Sequence, residues 1–364
     1  MIYIAGGAGV PNFGDELMAR YWLDKLSQYS DVTFAGVRSK VLNSLFSNRF
    51  PNVHFSGALR NVIARSSADF WEAFRDGANA LRSGVLLSMP VEEVERLMSA
   101  SIFHLHGGGY INSKWPKHAF YLGLALALKE KNGCKLIATG IGLTPIQTPP
   151  DDIRPIFERA LEAFDVFEVR DQESYDFIMQ YDNSKQAIHN GLDDTFITPV
   201  TPITPVHNHR TLHVSLYNNE DADRVIERIP PRFIESFDLH KFWLCTPQDA
   251  IQFAKIAKRY PFFSALTLET MIFENLPVSR LDFMITARFH PHLMASRAGS
   301  NGAYRAPTDY YKVKHGSIVA LGSSFELTQM SKLKHNIDLE PTISLNEHSN
   351  VRRKEEIINK VYAK

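Results

Sequence analysis

The stretch Ile102-Phe103-His104-Leu105-His106-Gly107-Gly108-Gly109 is a short apolar run that passes directly into a glycine-rich loop. An amphipathic segment, residues 117–131, follows it, and a second apolar run occupies residues 136–139. Strand, helix and strand in this order are typical of a parallel sheet covered by helices. The same alternation begins at residue 2 and begins again at residue 212. The sequence therefore predicts an α/β fold with two Rossmann-like domains, parallel sheets and a cleft between the domains.

A proline-rich segment separates the two halves. Residues 197–206 contain three prolines, which exclude a helix and suit an extended linker. We therefore predict an N-terminal domain at residues 1–205, with a helical insertion at about 57–100, and a C-terminal domain at residues 206–345. Residues 346–364 carry a helical pattern, and we expect this final helix to pack back on the first domain. A length of 364 residues also exceeds what one core usually fills.

Charge and cysteine content exclude several classes of protein. The 40 basic and 40 acidic residues are interleaved, so the chain lacks the basic excess of a nucleic-acid-binding protein. Only Cys134 and Cys245 occur, which argues against a disulfide framework and favours a reducing compartment. The first residues read as a β-strand and not as a signal peptide, and the longest apolar run, residues 119–128, is too short to span a bilayer. We expect a cytoplasmic protein that works at the inner face of the membrane.

The predicted insertion contains Phe70, Trp71, Phe74 and Leu81 at helical spacing. Two interpretations are open at this point. The helix either packs these side chains on the sheet or presents them to a membrane or a lipid-linked substrate as a peripheral contact.

The glycine-rich loop at residues 6–15 follows the first strand, where a phosphate-binding turn would lie. Asn12, however, stands where the dinucleotide fingerprint G-x-G-x-x-G needs its third glycine, which argues against NAD binding. Asn12, Gly14 and Asp15 therefore either cap the following helix or face the cleft as well.

Charged side chains end two of the predicted strands. Arg170 follows residues 166–169, and Arg288 and His290 follow residues 283–287. The carboxyl ends of parallel strands lie at one edge of a sheet, so these residues are candidate ligand contacts. Each arginine forms either an ordinary salt bridge or a contact to a carboxylate or phosphate. His290 is either structural or a proton donor or acceptor, because imidazole titrates near neutral pH. The chain has no H-E-x-x-H or paired C-x-x-C motif, so we expect no metal site.

Six motifs, taken in order, resemble the polysaccharide pyruvyl transferase family. Each is weak alone, but the ordered set covers about residues 1–320. Phe289 stands where members often carry leucine, which leaves the Arg-x-His arrangement unchanged. The motifs are Asn12-Phe13-Gly14-Asp15-Glu16, His106-Gly107-Gly108-Gly109, Thr139-Gly140-Ile141-Gly142, Val169-Arg170-Asp171-Gln172-Glu173-Ser174, Gly191-Leu192-Asp193-Asp194 and Ala287-Arg288-Phe289-His290.

The resemblance implies a GT-B-like transferase. Such enzymes move the enolpyruvyl group of phosphoenolpyruvate onto two hydroxyls of one sugar, forming a pyruvate ketal and releasing phosphate, without a cofactor or a metal. The implied partners are phosphoenolpyruvate and a sugar acceptor in a cell-surface polysaccharide or its lipid-linked precursor. The implied catalytic residues are His290, Asp15 and Asp194, and the implied acceptor contacts are Asn12, Asp15 and Gly140. The implied phosphoenolpyruvate contacts are Arg170, Arg288, Phe289, His290, His106, Gly107, Gly108, Gly109 and Lys312, the last in a loop after a late strand.

Two other functions are compatible with this pattern. A GT-B-type glycosyltransferase would take a nucleotide-sugar donor, and a non-catalytic relative would bind glycan without consuming any donor. The donor that the protein consumes distinguishes the three possibilities.

Overall fold

The computed structural model describes residues 1–181, 187–204, 209–216, 222–333 and 341–362. The chain divides into two compact units, each built from separate stretches. The first unit contains Met1–Val10, Met18–Ile197 and Arg352–Lys364, and the second contains Pro11–Leu17 and Thr198–Val351. The domain boundary predicted at 205/206 lies outside the described residues.

The first unit contains a seven-stranded sheet whose paired strands are all parallel. Its strands are β1 Ile2–Ala5, β2 Val32–Ala35, β3 Val53–Ser56, β4 Ile102–Leu105, β5 Lys135–Ile141, β6 Val166–Val169 and β7 Ile188–Asn190. Their order across the sheet is β3-β2-β1-β4-β5-β6-β7. The helices between them are α1 Phe13–Leu26, α2 Ser39–Phe46, α3 Ala58–Ile63, α4 Phe70–Ala78, α5 Ala80–Ser83, α6 Val91–Met98, α7 Phe120–Asn132, α8 Arg154–Ala163 and α9 Gln172–Ile178.

Three strands of this sheet lie wholly in the interior of the first unit. Every residue of β1, β2 and β6 is buried, as is typical of parallel strands, which read as continuous apolar runs without alternation.

Helices α3 to α6 lie between β3 and β4, in the region of the predicted insertion. Helix α4 packs closely on α7, because a Cβ atom at Gly77 would lie 2.1 Å from the carbonyl oxygen of Phe120. Phe70, Trp71 and Phe74 are all buried in the core of this unit. These three side chains therefore pack inside the unit, and Leu81 lies partly buried against the same core.

The second unit contains a six-stranded parallel sheet whose strands follow the same kind of order as those of the first. Its strands are β8 Thr211–Ser215, β9 Leu239–Trp243, β10 Phe263–Leu266, β11 Phe283–Thr286, β12 Asn301–Tyr304 and β13 Glu326–Leu327, in the order β10-β9-β8-β11-β12-β13. Its helices are α10 Ala222–Glu227, α11 Pro231–Ile234, α12 Asp249–Arg259, α13 Leu268–Phe273, α14 Phe289–Arg297, α15 Asp309–Ala320 and α16 Thr342–Leu345.

The final helix, α17 Glu347–Tyr362, contributes to both units. In the second unit, Glu347 at its first turn accepts a hydrogen bond of 2.6 Å from the buried guanidinium of Arg297. In the first unit, Lys354 is fully buried and forms ion pairs with Glu168 and Asp194. The helix is therefore fixed by buried charge pairs as well as by its apolar residues.

Candidate active site

Both sheets reverse their winding direction at one point, between β1 and β4 in the first unit and between β8 and β11 in the second. In open α/β sheets, ligands bind at this point, beyond the carboxyl ends of the strands. In the first unit the loop after β4, which begins with His106, lies there. In the second unit Leu216 and the segment 287–290 lie there.

Arg288 follows β11 and is the last residue before α14. Its backbone N–H donates to the Thr286 hydroxyl at 2.9 Å, which fixes the turn. The guanidinium donates to Asp249 Oδ1 at 2.6 Å and to the Leu216 carbonyl at 3.0 Å. The side chain keeps 11% of its surface exposed, so it is mostly buried but still accessible to solvent.

Asp249 is the buried partner that orients Arg288. Burial raises the pKa of the Asp249 carboxyl, and the charge of Arg288 and the N–H of Thr246 act against that shift. The Thr246 N–H donates to Asp249 Oδ2 at 2.8 Å, so each carboxylate oxygen has a donor. Asp249 was not predicted from the sequence, although it stands at a helix start beyond β9, at the same edge of the sheet as the predicted residues.

His290, in the first turn of α14, lies directly against Gly14. A Cβ atom at position 14 would lie 1.7 Å from His290 Nδ1, so any other residue there would displace the imidazole. The start of α1 is held in the second unit by the Phe13 N–H, which donates to the Cys245 carbonyl at 2.9 Å, and by the edge of the Phe13 ring on Trp243. Two motifs separated by more than 270 residues therefore meet at one point.

Asn12 and Asp15 lie on the same turn as Gly14. The Asn12 amide donates to Asp15 Oδ2 at 2.9 Å. Phe289 packs its ring on that of His290 at 5.0 Å between centroids. The structure thus brings four of the predicted residues, Asn12, Asp15, Phe289 and His290, to the two segments that meet at Gly14.

His106 is fully buried at the carboxyl end of β4. Its ring covers Gly6, where a Cβ atom would lie 2.0 Å from Nε2. Burial lowers the pKa of His106 to about 4, although Asp194 and the Gly107 backbone act against the shift. The imidazole is therefore neutral at physiological pH.

The glycines after His106 make room for Asp194 in the first unit. Cβ atoms at Gly107 and Gly140 would lie 2.8 Å and 2.6 Å from the Asp194 carboxylate, and Gly140 also has a positive φ of 58°. The Gly107 N–H donates to Asp194 at 2.6 Å, and the Gly108 N–H donates to the Gly140 carbonyl at 3.2 Å. The N–H groups of Gly107 and Gly108, which the resemblance implies as phosphoenolpyruvate contacts, are thus engaged inside the protein.

Asp194 has no exposed surface and several internal partners. Its Oδ2 accepts hydrogen bonds from Trp22 and Thr139, and Lys354 Nζ lies 2.6 Å from its Oδ1. Burial alone would raise the pKa of Asp194, but Lys354, Trp22 and the Gly107 N–H outweigh burial and lower it. The catalytic role of Asp194 stays a prediction, and this geometry favours support of the loop after β4.

Arg170 follows β6 and is also buried, with 4% of its side chain exposed. Its Nη1 donates to Asp193 Oδ2 at 2.8 Å, and Gly142 gives its guanidinium room. The two acidic residues of the Gly191–Asp194 motif therefore have different partners, Arg170 for Asp193 and Lys354 for Asp194. The donor contact predicted for Arg170 stays a prediction.

The prediction that Lys312 lies in a loop is wrong. Lys312 lies in the first turn of α15 and pairs with Asp309, three residues earlier, at 2.9 Å. Its side chain is 57% exposed, which is the environment of a solvated surface lysine. Among the described residues, no group of three or more His, Cys, Asp or Glu side chains is arranged to hold a metal ion.

A family model described as polysaccharide pyruvyl transferase matches residues 12–259. The chain belongs to this family. It is accordingly a transferase of polysaccharide biosynthesis, and the family assignment made from the six motifs is confirmed. No curated protein matches the chain significantly.

Several solved structures share the fold of this member of the pyruvyl transferase family, although their sequences are very different. A UDP-N-acetylglucosamine 2-epimerase from Rickettsia bellii is 8% identical, with a TM-score of 0.54 over 98% of this chain and 95% of the other. The S. aureus MnaA–UDP co-structure is 10% identical, with a TM-score of 0.51 over 99% of this chain and 90% of the other. The glycotransferase of kitacinnamycin is 12% identical, with a TM-score of 0.51 over 100% of this chain and 96% of the other. At such identities the likeness confirms the GT-B-like, two-domain Rossmann fold and nothing about the substrate. In the part of the chain that the structure describes, no helix is long and apolar enough to cross a membrane.

Proposed function

We propose that this protein transfers the enolpyruvyl group of phosphoenolpyruvate to two hydroxyls of one sugar in a cell-surface polysaccharide or its lipid-linked precursor. The product is a cyclic pyruvate ketal, and inorganic phosphate is released. Family membership supports the reaction class. The observation that carries the assignment to this site is the meeting of the Asn12–Glu16 and Ala287–His290 motifs at Gly14.

The proposed reaction needs a proton at one carbon and the loss of two protons from oxygen. Carbon 3 of the donor gains a proton and becomes a methyl group, while carbon 2 forms one bond to each of the two sugar oxygens. The bond between carbon 2 and the phosphate oxygen breaks. Of the two protons lost by the hydroxyls, one balances the proton taken up at carbon 3 and the other leaves with phosphate. The site must therefore supply a proton donor, a proton acceptor and cations for the donor's charges.

Arg288 and His290 have the chemistry for two of these tasks. A guanidinium matches the two oxygens of a carboxylate or phosphate, and Asp249 fixes its plane from the buried side. His290 lies two residues after Arg288 and is half-buried. An imidazole can transfer protons near neutral pH. We propose that Arg288 binds the donor, that His290 transfers a proton, and that Asn12 and Asp15 contact the acceptor.

Arg170 is proposed as a further ligand for the donor's charge. The ion pair between Arg170 Nη1 and Asp193 holds the guanidinium in place. A contact to substrate would therefore use the other N–H groups of the guanidinium. We place the reaction on the cytoplasmic side of the membrane, because Cys134 and Cys245 are both free and buried, as suits a reducing compartment.

The test is release of phosphate from phosphoenolpyruvate with a panel of galactosides, mannosides and amino sugars, combined with mass spectrometry of the products. A product with the added mass of a pyruvate ketal supports the proposal. Consumption of a UDP-sugar or GDP-sugar in place of phosphoenolpyruvate would favour the glycosyltransferase alternative. Glycan binding with no consumption of any donor, and no change on Arg288→Ala, would favour the non-catalytic one.

A further inference from the structure

A pocket of about 580 Å³ lies in the second unit, beside the carboxyl ends of β12 and β13. The loop after β12 supplies Arg305, and the end of α10 supplies Arg228. The segment after β13 supplies Thr328, Gln329 and Ser331. The volume is within the range of small-molecule sites.

The polar side chains in the lining of this pocket are cationic or hydrogen-bonding. Among the described residues, the lining contains two guanidinium groups, two hydroxyls, one amide and five apolar side chains, and none of these residues carries a carboxylate. Within the described residues, the Arg228 guanidinium has no ion-pair partner, and the residue is exposed. Guanidinium and hydroxyl donors together fit the oxygens of a phosphate group.

Thr286 connects this pocket to the proposed donor site. Its hydroxyl accepts the Arg288 N–H at 2.9 Å, and its carbonyl accepts the Arg305 N–H at 2.8 Å. The two arginines therefore follow neighbouring parallel strands at the same edge of the same sheet. Neighbouring strands lie about 4.8 Å apart, so one ligand can reach from one loop to the next.

We propose that the pocket binds the phosphate or pyrophosphate group of a glycosyl phosphate acceptor, whose sugar extends toward Arg288 and His290. This inference rests on the proposed function for the identity of the sugar-bearing ligand. Arg228 and Arg305 hold the phosphate oxygens, and Thr328 and Ser331 add hydroxyl donors. The pocket then selects acceptors by their phosphate, while the residues near Gly14 act on the sugar.

The first experiment measures binding by titration calorimetry at fixed salt, without phosphoenolpyruvate. The probes are a prenyl-pyrophosphate disaccharide, a UDP-sugar, inorganic pyrophosphate and the same disaccharide without phosphate. Arg228→Ala and Arg305→Ala are each expected to weaken binding of a phosphate-bearing saccharide by about tenfold. The phosphate-free disaccharide should be unaffected, and the matched control, Arg232→Ala at an exposed position on α11, should bind as the unmodified protein does.

The probes also separate the possible sources of the phosphate. Preference for the prenyl-pyrophosphate saccharide indicates a lipid-linked acceptor, and preference for the UDP-sugar indicates a nucleotide-linked one. Equal binding of both supports the phosphate assignment without a carrier preference. Pyrophosphate alone binding as tightly as either saccharide, or wild-type affinity in both arginine variants, would overturn the proposal. Arg305→Lys, which keeps the charge, serves if Arg305→Ala does not fold.

The second experiment distinguishes this inference from the proposed function. With a phosphate-bearing acceptor, Arg228→Ala and Arg305→Ala should raise KM for the acceptor and leave KM for phosphoenolpyruvate unchanged. Normal ketal formation with an unchanged acceptor KM would reject the pocket and leave the function standing. Arginine-dependent phosphate binding with no ketal formed from any acceptor would reject the function and leave the pocket standing.

Discussion

The imidazole of His290 lies against the Cα of Gly14, at a separation that leaves no space for a side chain at position 14. Gly14→Ala is therefore expected to displace the ring and to lower turnover strongly. The overpacking should also reduce the free energy of unfolding by about 1–3 kcal/mol. Steady-state kinetics and urea denaturation measure the two effects.

Gly316→Ala is the matched control for this substitution. Gly316 lies in α15, where a Cβ atom would meet nothing within 4 Å. Alanine in a helix interior should stabilise the protein by about 0.5–1 kcal/mol and leave turnover unchanged. Equal activity of the Gly14 and Gly316 variants would show that the contact with His290 has no part in the reaction.

His290→Ala is expected to lower kcat by roughly 100-fold or more, with a smaller change in KM for phosphoenolpyruvate, because a lost proton transfer affects the transition state more than binding. His348→Ala, at an exposed position on α17, is the control and should behave normally. A kcat near that of the unmodified protein in His290→Ala would remove His290 from the mechanism.

Arg288→Lys is expected to raise KM for phosphoenolpyruvate by about tenfold, because an ammonium group cannot present the two parallel donors of a guanidinium. Asp249→Asn should shift the same KM in the same direction, since it weakens the contact that orients Arg288. If Asp249→Asn raises KM in Arg288→Lys by the same factor as in the unmodified protein, the two residues act independently and the positioning role is rejected.

Lys354→Met should strongly destabilise the protein, because it leaves Glu168 and Asp194 buried without their common cation. Loss of one partner from a buried ion pair costs about 3–5 kcal/mol, which urea denaturation can measure. Lys360→Met, on the exposed face of the same helix, should change stability little. Equal unfolding midpoints for the two variants would contradict this account of α17.

Stability should fall as the pH falls below about 6.5, the ordinary pKa of histidine. Burial lowers the pKa of His104 to about 3 and the pKa of His106, His118 and His315 to about 4. The unfolded chain therefore binds protons that the folded chain does not, from pH 6.5 down to about 4. Glu168 acts in the opposite direction, because burial raises its pKa and favours folding at lower pH.

Urea denaturation between pH 7 and pH 4 tests this pH dependence. The free energy of unfolding should decline over the interval, with a slope that reports net proton uptake on unfolding. His315→Gln should reduce the slope, and the exposed His348→Gln should not. A flat profile would show that these imidazoles do not remain neutral in the folded protein.

The parallel sheets and the edge that carries the candidate residues were predictable from the sequence, because buried parallel strands read as apolar runs and the loops after them carry the charges. The hydrogen-bond and ion-pair partners of those residues were not predictable from the sequence. Trp22 and Asp194 are 172 residues apart and Lys354 and Glu168 are 186 apart, so no local pattern relates them. Lys312 was misplaced because Thr308 and Asp309, at the start of α15, were not recognised as a helix start.

The contacts of the glycines could not be predicted from the sequence either. Gly107 and Gly140 were predicted to be ligand contacts, and Gly14 was predicted to belong to a helix cap or a cleft-facing turn, yet all three make room for His290 or Asp194. A missing side chain marks a close approach, and only three-dimensional contacts tell which group approaches.

The assignment of Pro11–Leu17 to the second unit, while the chain on both sides belongs to the first, has a practical meaning for recombination between relatives. A chimera that exchanges everything after residue 198 would combine a foreign His290 with the resident Gly14. Such an exchange takes both sides of the contact from one parent only if residues 11–17 are exchanged together with the carboxyl-terminal half. A chimera with a single crossover near residue 198 would therefore take the two sides of the Gly14–His290 contact from different parents.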